Sequence, residues 1–104
     1  MRSIGLEYEN EQVLALLQAM WGAISENMLG VSLKCDEEDV HLYFVLERES
    51  EDDREEIADI VAELDALQSK ALLIQSHVFV LAEPWQGIGS LIGRPVYVRK
   101  VVIK

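Results

Sequence analysis

The sequence has a single cysteine, Cys35, so it can form no disulfide within the chain. It lacks a basic segment followed by a long apolar run at its start, so we expect no secretory signal. Its most apolar run, residues 13–24, is interrupted by Gln18 and is shorter than the ~20 residues that a membrane-spanning helix needs. These absences predict a soluble protein of the reducing cytoplasm, with no membrane partner.

Basic residues are scarce: nine Lys and Arg face 19 Asp and Glu, which gives a formal net charge of −10. Residues 47–65 carry net −8, residues 1–46 carry −6 and residues 66–104 carry +4. Such a chain repels phosphate backbones, so nucleic acid is not an expected partner. A positively charged macromolecule is instead the expected partner.

Disorder is not expected either, because half of the residues are hydrophobic and about a quarter are charged. A chain of 104 residues can bury about two-thirds of its unfolded surface in one core. We therefore predict a single domain over residues 1–104.

Two segments show the apolar period of helices. The first is predicted to begin at Asn10 as N-cap and to extend to residue 25, with Met20 and Trp21 in the core. The second is predicted to begin after Ser50, with Asp53 completing a capping box, and to end near residue 69. Its inward stripe comprises Ile57, Ile60, Val61, Leu64 and Leu67.

Period-two alternation predicts the strands. Residues 28–35 and 40–47 form an antiparallel hairpin, residues 72–82 a third strand and residues 96–103 a fourth, at an edge or with a bulge at its adjacent basic residues. A short additional strand at the start of the chain is also possible, because Ile4, Leu6 and Tyr8 alternate with glycine and glutamate residues.

The resulting order is α-β-β-α-β-β. This is an α+β fold, with a four- or five-stranded, mainly antiparallel sheet and two main helices over one or both of its faces.

Residues that could support catalysis or metal binding are few. His41 and His77 lie far apart in the sequence and have no companions at metal-ligand spacing. The alternation places Cys35 and His41 on opposite strand faces, which argues against a nucleophilic pair. The glycines at 87, 89 and 93 match no phosphate-binding motif. We therefore predict no catalytic residue, no metal and no cofactor.

The acidic residues are the better candidates for a binding site. On the second helix, Glu55, Asp59 and Glu63 repel one another at i, i+4 spacing, with no lysine among them. The predicted partner-binding residues on the outer face of this helix are Asp52, Glu55, Glu56, Asp59 and Glu63. A solvated charged face is the alternative, but the net charge of the whole chain favours a binding surface.

Two further features are candidates for the same surface. The polar hairpin turn comprises Asp36, Glu37, Glu38 and Asp39; it has no glycine for a tight calcium loop. Trp85, in the glycine-rich segment 84–95, either anchors an interface or folds back over the sheet edge.

The layout, the run LYFVLERESEDDREEI and the ending GRPVYVRKVVIK resemble a known group. The chain is similar to the small acidic immunity proteins that bacteria carry beside toxins, especially those of contact-dependent growth inhibition systems. The resemblance implies a non-enzymatic cytoplasmic protein that neutralises a cognate toxin domain, often a basic nuclease, in a 1:1 complex. We expect the free protein to be monomeric.

Two alternatives remain. A small acidic secretion chaperone would hold an effector segment and would usually be dimeric. A small-ligand domain or enzyme would use the loop 84–95 over the sheet and would need a pocket with convergent polar groups.

Overall fold

The computed structural model describes residues 5–36, 38–69, 71–81, 84–85, 87 and 91–99. Their elements, in chain order, are α1 (Leu6–Ala19), β1 (Met28–Cys35), β2 (Asp39–Leu46), α2 (Glu51–Ala66), β3 (Leu73–Val80) and β4 (Arg94–Val98). The predicted α+β fold and its order α-β-β-α-β-β are confirmed. In the described ranges no helix combines the length and the hydropathy needed to cross a membrane.

The four strands form one sheet in the order β3-β2-β1-β4. The predicted hairpin is antiparallel, with Val31 opposite Phe44, and β4 is antiparallel to β1. By contrast β3 runs parallel to β2, because α2 carries the chain back along the sheet between them. The sheet is therefore mixed, with two of its three strand pairs antiparallel.

Both helices pack on one face of this sheet. Leu16 and Met20 of the first helical region and Ile60 and Leu64 of α2 share one buried cluster with the inward residues of the hairpin, such as Phe44. A side chain in such a core contributes about 2 kcal/mol by leaving water. The core thus fixes the position of α2, whose charged residues other than Asp53 are exposed.

The predicted start of the first helix was wrong. Gly5 is the N-cap, while Asn10 lies inside the helix. Leu6 and Tyr8 belong to α1 rather than to a first strand; Ile4 lies outside the described residues. Three alternating residues do not distinguish the period of a strand from that of a helix. Glu7 and Glu9 favour the helix, because carboxylates in the first turn interact favourably with the helix dipole.

The predicted end of this helix, at residue 25, was also wrong, since α1 ends at Ala19 with Met20 as C-cap. Gly22 then adopts a φ of +79°, a left-handed conformation that glycine adopts without strain and that turns the chain away from the helix axis. Met20 is buried as predicted, but Trp21 is 90% exposed and does not belong to the core. The apolar period continues past the residue at which the helix stops.

The start of α2 is as predicted, but its capping differs from a capping box. Ser50 Oγ accepts the backbone N–H of Asp53 at 3.2 Å. Asp53 does not return the bond: its Oδ2 accepts the side-chain amide of Asn27 at 2.7 Å. The N–H of Ser50 donates instead to Glu49 Oε2. Asp53 is thereby buried with its charge hydrogen-bonded.

The far end of α2 is shorter than predicted, because the helix ends at Ala66 with Leu67 as C-cap and does not reach residue 69. Leu67 is consequently exposed, while the rest of the predicted stripe packs inward.

The last strand begins earlier than predicted. Arg94 and Pro95 lie in β4 rather than in the preceding loop, and residues 100–103 lie outside the described residues. The predicted edge position is confirmed. The register shift falls between Tyr97 and Pro95, not at the two adjacent basic residues.

Candidate functional site

The predicted acidic face is present on α2. Each of its five carboxylates is exposed to solvent, and together they define the acidic ridge: Asp52, Glu55, Glu56, Asp59 and Glu63. The ridge forms no salt bridge within the described part of the chain, where the ion pairs are Arg54–Glu49, Arg94–Glu9 and Arg99–Glu47. Within the described residues, the charge of the ridge is therefore not neutralised by an ion pair.

The arginine on the same helix does not neutralise the ridge. Arg54 turns back toward the loop before α2, where its Nε lies 2.5 Å from Glu49 Oε2 and its Nη2 lies 2.7 Å from Glu49 Oε1. This contact lowers the pKa of Glu49 below its usual value. The last turn of α2 has no basic residue to match the helix dipole, although acidic residues occur up to Asp65. The sequence of α2 thus retains charge that a purely structural helix would avoid.

A groove lies beside the ridge, between α2 and the end of the first helical region. It has a volume of about 240 Å³. Its lining residues are Gln18, Ala19, Trp21, Ala23, Glu56, Asp59, Ile60 and Glu63. Three ridge carboxylates therefore meet an exposed indole in one depression, whereas Asp52 and Glu55 are outside it.

Trp21 is the residue of this surface that sequence reasoning missed. A tryptophan buries about 150–250 Å² in a protein core, so leaving Trp21 in water forgoes roughly 4 kcal/mol. The available signal was the Trp-Gly pair at residues 21–22, because a glycine can end a helix before the apolar period ends.

The described residues of the hairpin turn do not line the groove. Asp36 and Glu38 are exposed, and Asp39 is the first residue of β2. The backbone N–H of Asp36 donates to the carbonyl of Asp39 at 2.7 Å, which closes the turn. Glu37 lies outside the described residues. The turn therefore remains a predicted binding segment, separate from the groove.

Trp85 folds back over the sheet, as one of its two sequence interpretations predicted. Its Nε1–H donates to the carbonyl of Arg99 at 2.8 Å. A Cβ at Gly30 would lie 2.8 Å from the Cη2 atom of Trp85, so the indole ring packs directly on the backbone of β1. Half-buried and hydrogen-bonded in this way, Trp85 belongs to the layer that covers the sheet face opposite the helices.

The two histidines, distant in sequence, meet across neighbouring strands. Nδ1 of His41 lies 3.1 Å from Nε2 of His77, with one ring donating and the other accepting. Their rings stack in a row with Tyr43 and Phe79. No group of three or more His, Cys, Asp or Glu suited to a metal ion occurs among the described residues. The described contacts of the pair are those between the two rings and with the neighbouring aromatic ring of Tyr43.

Cys35 lines a second depression, of about 290 Å³, together with Lys34, Asp36, His41 and Tyr43. Burial, and then the Glu9 carboxylate, raise the pKa of the Cys35 thiol to about 11, although Arg94 opposes the shift. A thiol with this pKa is protonated at neutral pH and is a poor nucleophile. The depression therefore provides no activated nucleophile at Cys35.

A comparison with known families supports a role in binding another protein. The family model described as MafI2 immunity protein matches residues 9–101, which include α2, all four strands and most of α1. No curated protein matches the chain.

Proposed function

The chain belongs to the MafI2 immunity protein family, and from this premise we propose that it neutralises its cognate toxin through the acidic ridge on α2. The observation that carries the proposal is the exposure of five carboxylates on one helix with no salt bridge to the described residues. A surface of this kind is complementary to a basic protein surface.

The toxin domain that fits this ridge is a basic one. A nuclease must attract a phosphate backbone, so its active-site surface is positively charged. An immunity protein with net charge −10 is attracted to the same surface and can cover it. The proposal accordingly includes a nuclease-type toxin that acts in the cytoplasm, delivered between cells as in contact-dependent growth inhibition.

Binding of the toxin domain encoded by the neighbouring gene tests this function. We expect a complex, rescue of growth when both proteins are expressed, and an association rate that falls as salt rises. Absence of both binding and rescue would exclude this protein as the immunity partner of that toxin.

Equal changes of charge at two places test the ridge itself. The ridge variant carries Glu55→Gln, Asp59→Asn and Glu63→Gln; the control carries Glu7→Gln, Glu11→Gln and Glu26→Gln, all at exposed positions outside α2. Both lose three charges, so general steering is weakened equally. We expect the ridge variant to lower the association rate about tenfold and the control about twofold. Equal effects would show that only net charge matters.

Stoichiometry is part of the proposal: a monomeric free protein that forms a 1:1 complex. Light scattering of the free protein and of the complex measures both masses. A stable free dimer would favour the secretion-chaperone alternative for the mode of binding.

A further inference from the structure

The groove beside the ridge combines two features that solvation of a charged helix does not explain. One wall carries the carboxylates of Glu56, Asp59 and Glu63, and the other carries Trp21, whose side chain is 90% exposed. Between them lie the small side chains of two alanines. The depression therefore has an aromatic side and an anionic side.

The size of the groove decides what kind of ligand fits. Pockets for drug-sized molecules usually enclose about 300–1,000 Å³, whereas this one encloses about 240 Å³. Its volume suits one long side chain of a docked protein. The three carboxylates favour a cationic side chain, because no lysine or arginine lines the groove among the residues that the structure describes.

Of the two long cations, arginine matches both walls. Its guanidinium is planar, stacks on aromatic rings and donates several N–H groups in a fixed geometry, whereas lysine presents a compact, strongly hydrated charge. Its apolar stem can lie along the alanines. We infer that this groove receives one arginine side chain of the toxin, stacked on Trp21 and donating to the carboxylates, an inference that rests on the proposed function.

Replacement of Trp21 tests the inference directly. Because the side chain is exposed, Trp21→Ala leaves the fold intact, which circular dichroism verifies. We expect toxin affinity to fall about 30-fold or more, chiefly through faster dissociation. The matched control is Leu14→Ala, which removes an exposed apolar side chain that lies in α1 and does not line the groove. The control should change affinity less than threefold, and a Trp21→Ala effect as small as this would overturn the inference.

Coupling between the two walls gives a second criterion. If one arginine contacts both walls, Trp21→Ala combined with Glu63→Gln will weaken binding less than the product of the single effects. Trp21→Ala combined with Glu55→Gln should give the simple product, because Glu55 lies outside the groove. Multiplicative effects in both pairs would contradict a shared arginine.

A peptide titration separates this inference from the proposed function, because it needs no toxin. The probe is acetyl-Gly-Arg-Gly-amide, and its comparators contain citrulline or lysine in place of arginine. At millimolar concentrations we expect the arginine peptide to shift the NMR signal of the Trp21 indole N–H at least threefold more than either comparator. Equal shifts for the three peptides, or no shift, would contradict the arginine groove even if the protein binds the toxin. If the arginine peptide gives the selective shift but the protein does not bind the toxin, the proposed function alone is rejected.

Discussion

The two tryptophans occupy opposite situations in this protein. Trp21 follows the end of a helix, is 90% exposed and borders an acidic groove. Trp85 lies against the backbone of β1 with its indole N–H bonded to the carbonyl of Arg99. The region around Trp21 has room and unpaired polar surface, whereas the region around Trp85 is closed by packing.

The contrast shows that the type of segment does not determine what a tryptophan does. The helical period favours a core position for Trp21, and a glycine-rich segment allows an interface role for Trp85. Termination of α1 before Trp21 overturns the first expectation, and the close contact at Gly30 agrees with the alternative interpretation of Trp85, that it folds back over the sheet edge. We infer that the Trp21 region serves binding and that the Trp85 region serves stability.

Two glycines provide the strongest test of this division. Gly22 and Gly93 both have positive φ, of +79° and +76°, but a Cβ at Gly22 meets no atom within 4 Å, whereas one at Gly93 would lie 2.5 Å from the carbonyl oxygen of Leu33. We expect Gly93→Ala to lower the free energy of unfolding by about 3 kcal/mol or more, and Gly22→Ala by about 1 kcal/mol. Urea denaturation measures the free energy of unfolding of both variants. Equal losses would contradict the inferred difference in packing between the two regions.

Substitution of the tryptophans themselves is the next largest effect. Trp85→Ala removes a half-buried ring and a hydrogen bond, so we expect a loss of about 2 kcal/mol in unfolding free energy. Trp21→Ala should change it by less than about 0.5 kcal/mol. A large loss of unfolding free energy for Trp21→Ala would place that residue in the folded core and contradict the inferred difference between the two tryptophans.

Charge reversal on the ridge should stabilise the protein while impairing its binding. Asp59→Lys places a cation at i, i+4 spacing from both Glu55 and Glu63, replacing two repulsions by two attractions. We expect the unfolding free energy to rise by roughly 0.5 kcal/mol and toxin binding to weaken. Stabilisation without loss of binding would exclude Asp59 from the contact surface.

Fluorescence quenching distinguishes the two environments with the smallest perturbation. Acrylamide should quench one fraction of the emission readily, and Trp21→Phe should abolish that fraction. Cs⁺ should quench it better than I⁻, because carboxylates line the groove. Equal quenching by the two ions would contradict an anionic environment around Trp21.

The sequence was most informative where one period ran without interruption. The alternation of the hairpin predicts its antiparallel pairing and the inward faces of Val31, Leu33 and Phe44, although a register shift between Met28 and Gly30 interrupts the pattern at the start of β1. Ser50 and the acidic face of α2 were likewise predictable, because a cap and an apolar stripe fix the rotation of a helix. The ridge could therefore be assigned to the outer face before its neighbours were known.

Features that depend on contacts between distant segments were not predictable. The parallel pairing of β3 with β2 brings His77 beside His41, although neither residue signals the other in sequence. The groove forms because α1 stops beside the middle of α2, and no local pattern encodes that relation. The sequence predicts a capping box at Asp53, but its carboxylate instead accepts a hydrogen bond from the distant Asn27.

The position of α1 near one end of the chain also has a consequence for the order of folding. The hairpin, α2 and β3 are consecutive in sequence, whereas α1 packs mainly on the more distant α2 and reaches β4 through the hydrogen bonds of Arg94 to Glu9 and Asn10. Contacts across so long a loop form late and open first, so we expect amide exchange in α1 to be faster than in β2. The groove exists only while α1 is docked on α2. A toxin that fills the groove would therefore slow amide exchange in α1, because it would hold the helix that docks last against the part of the chain that folds first.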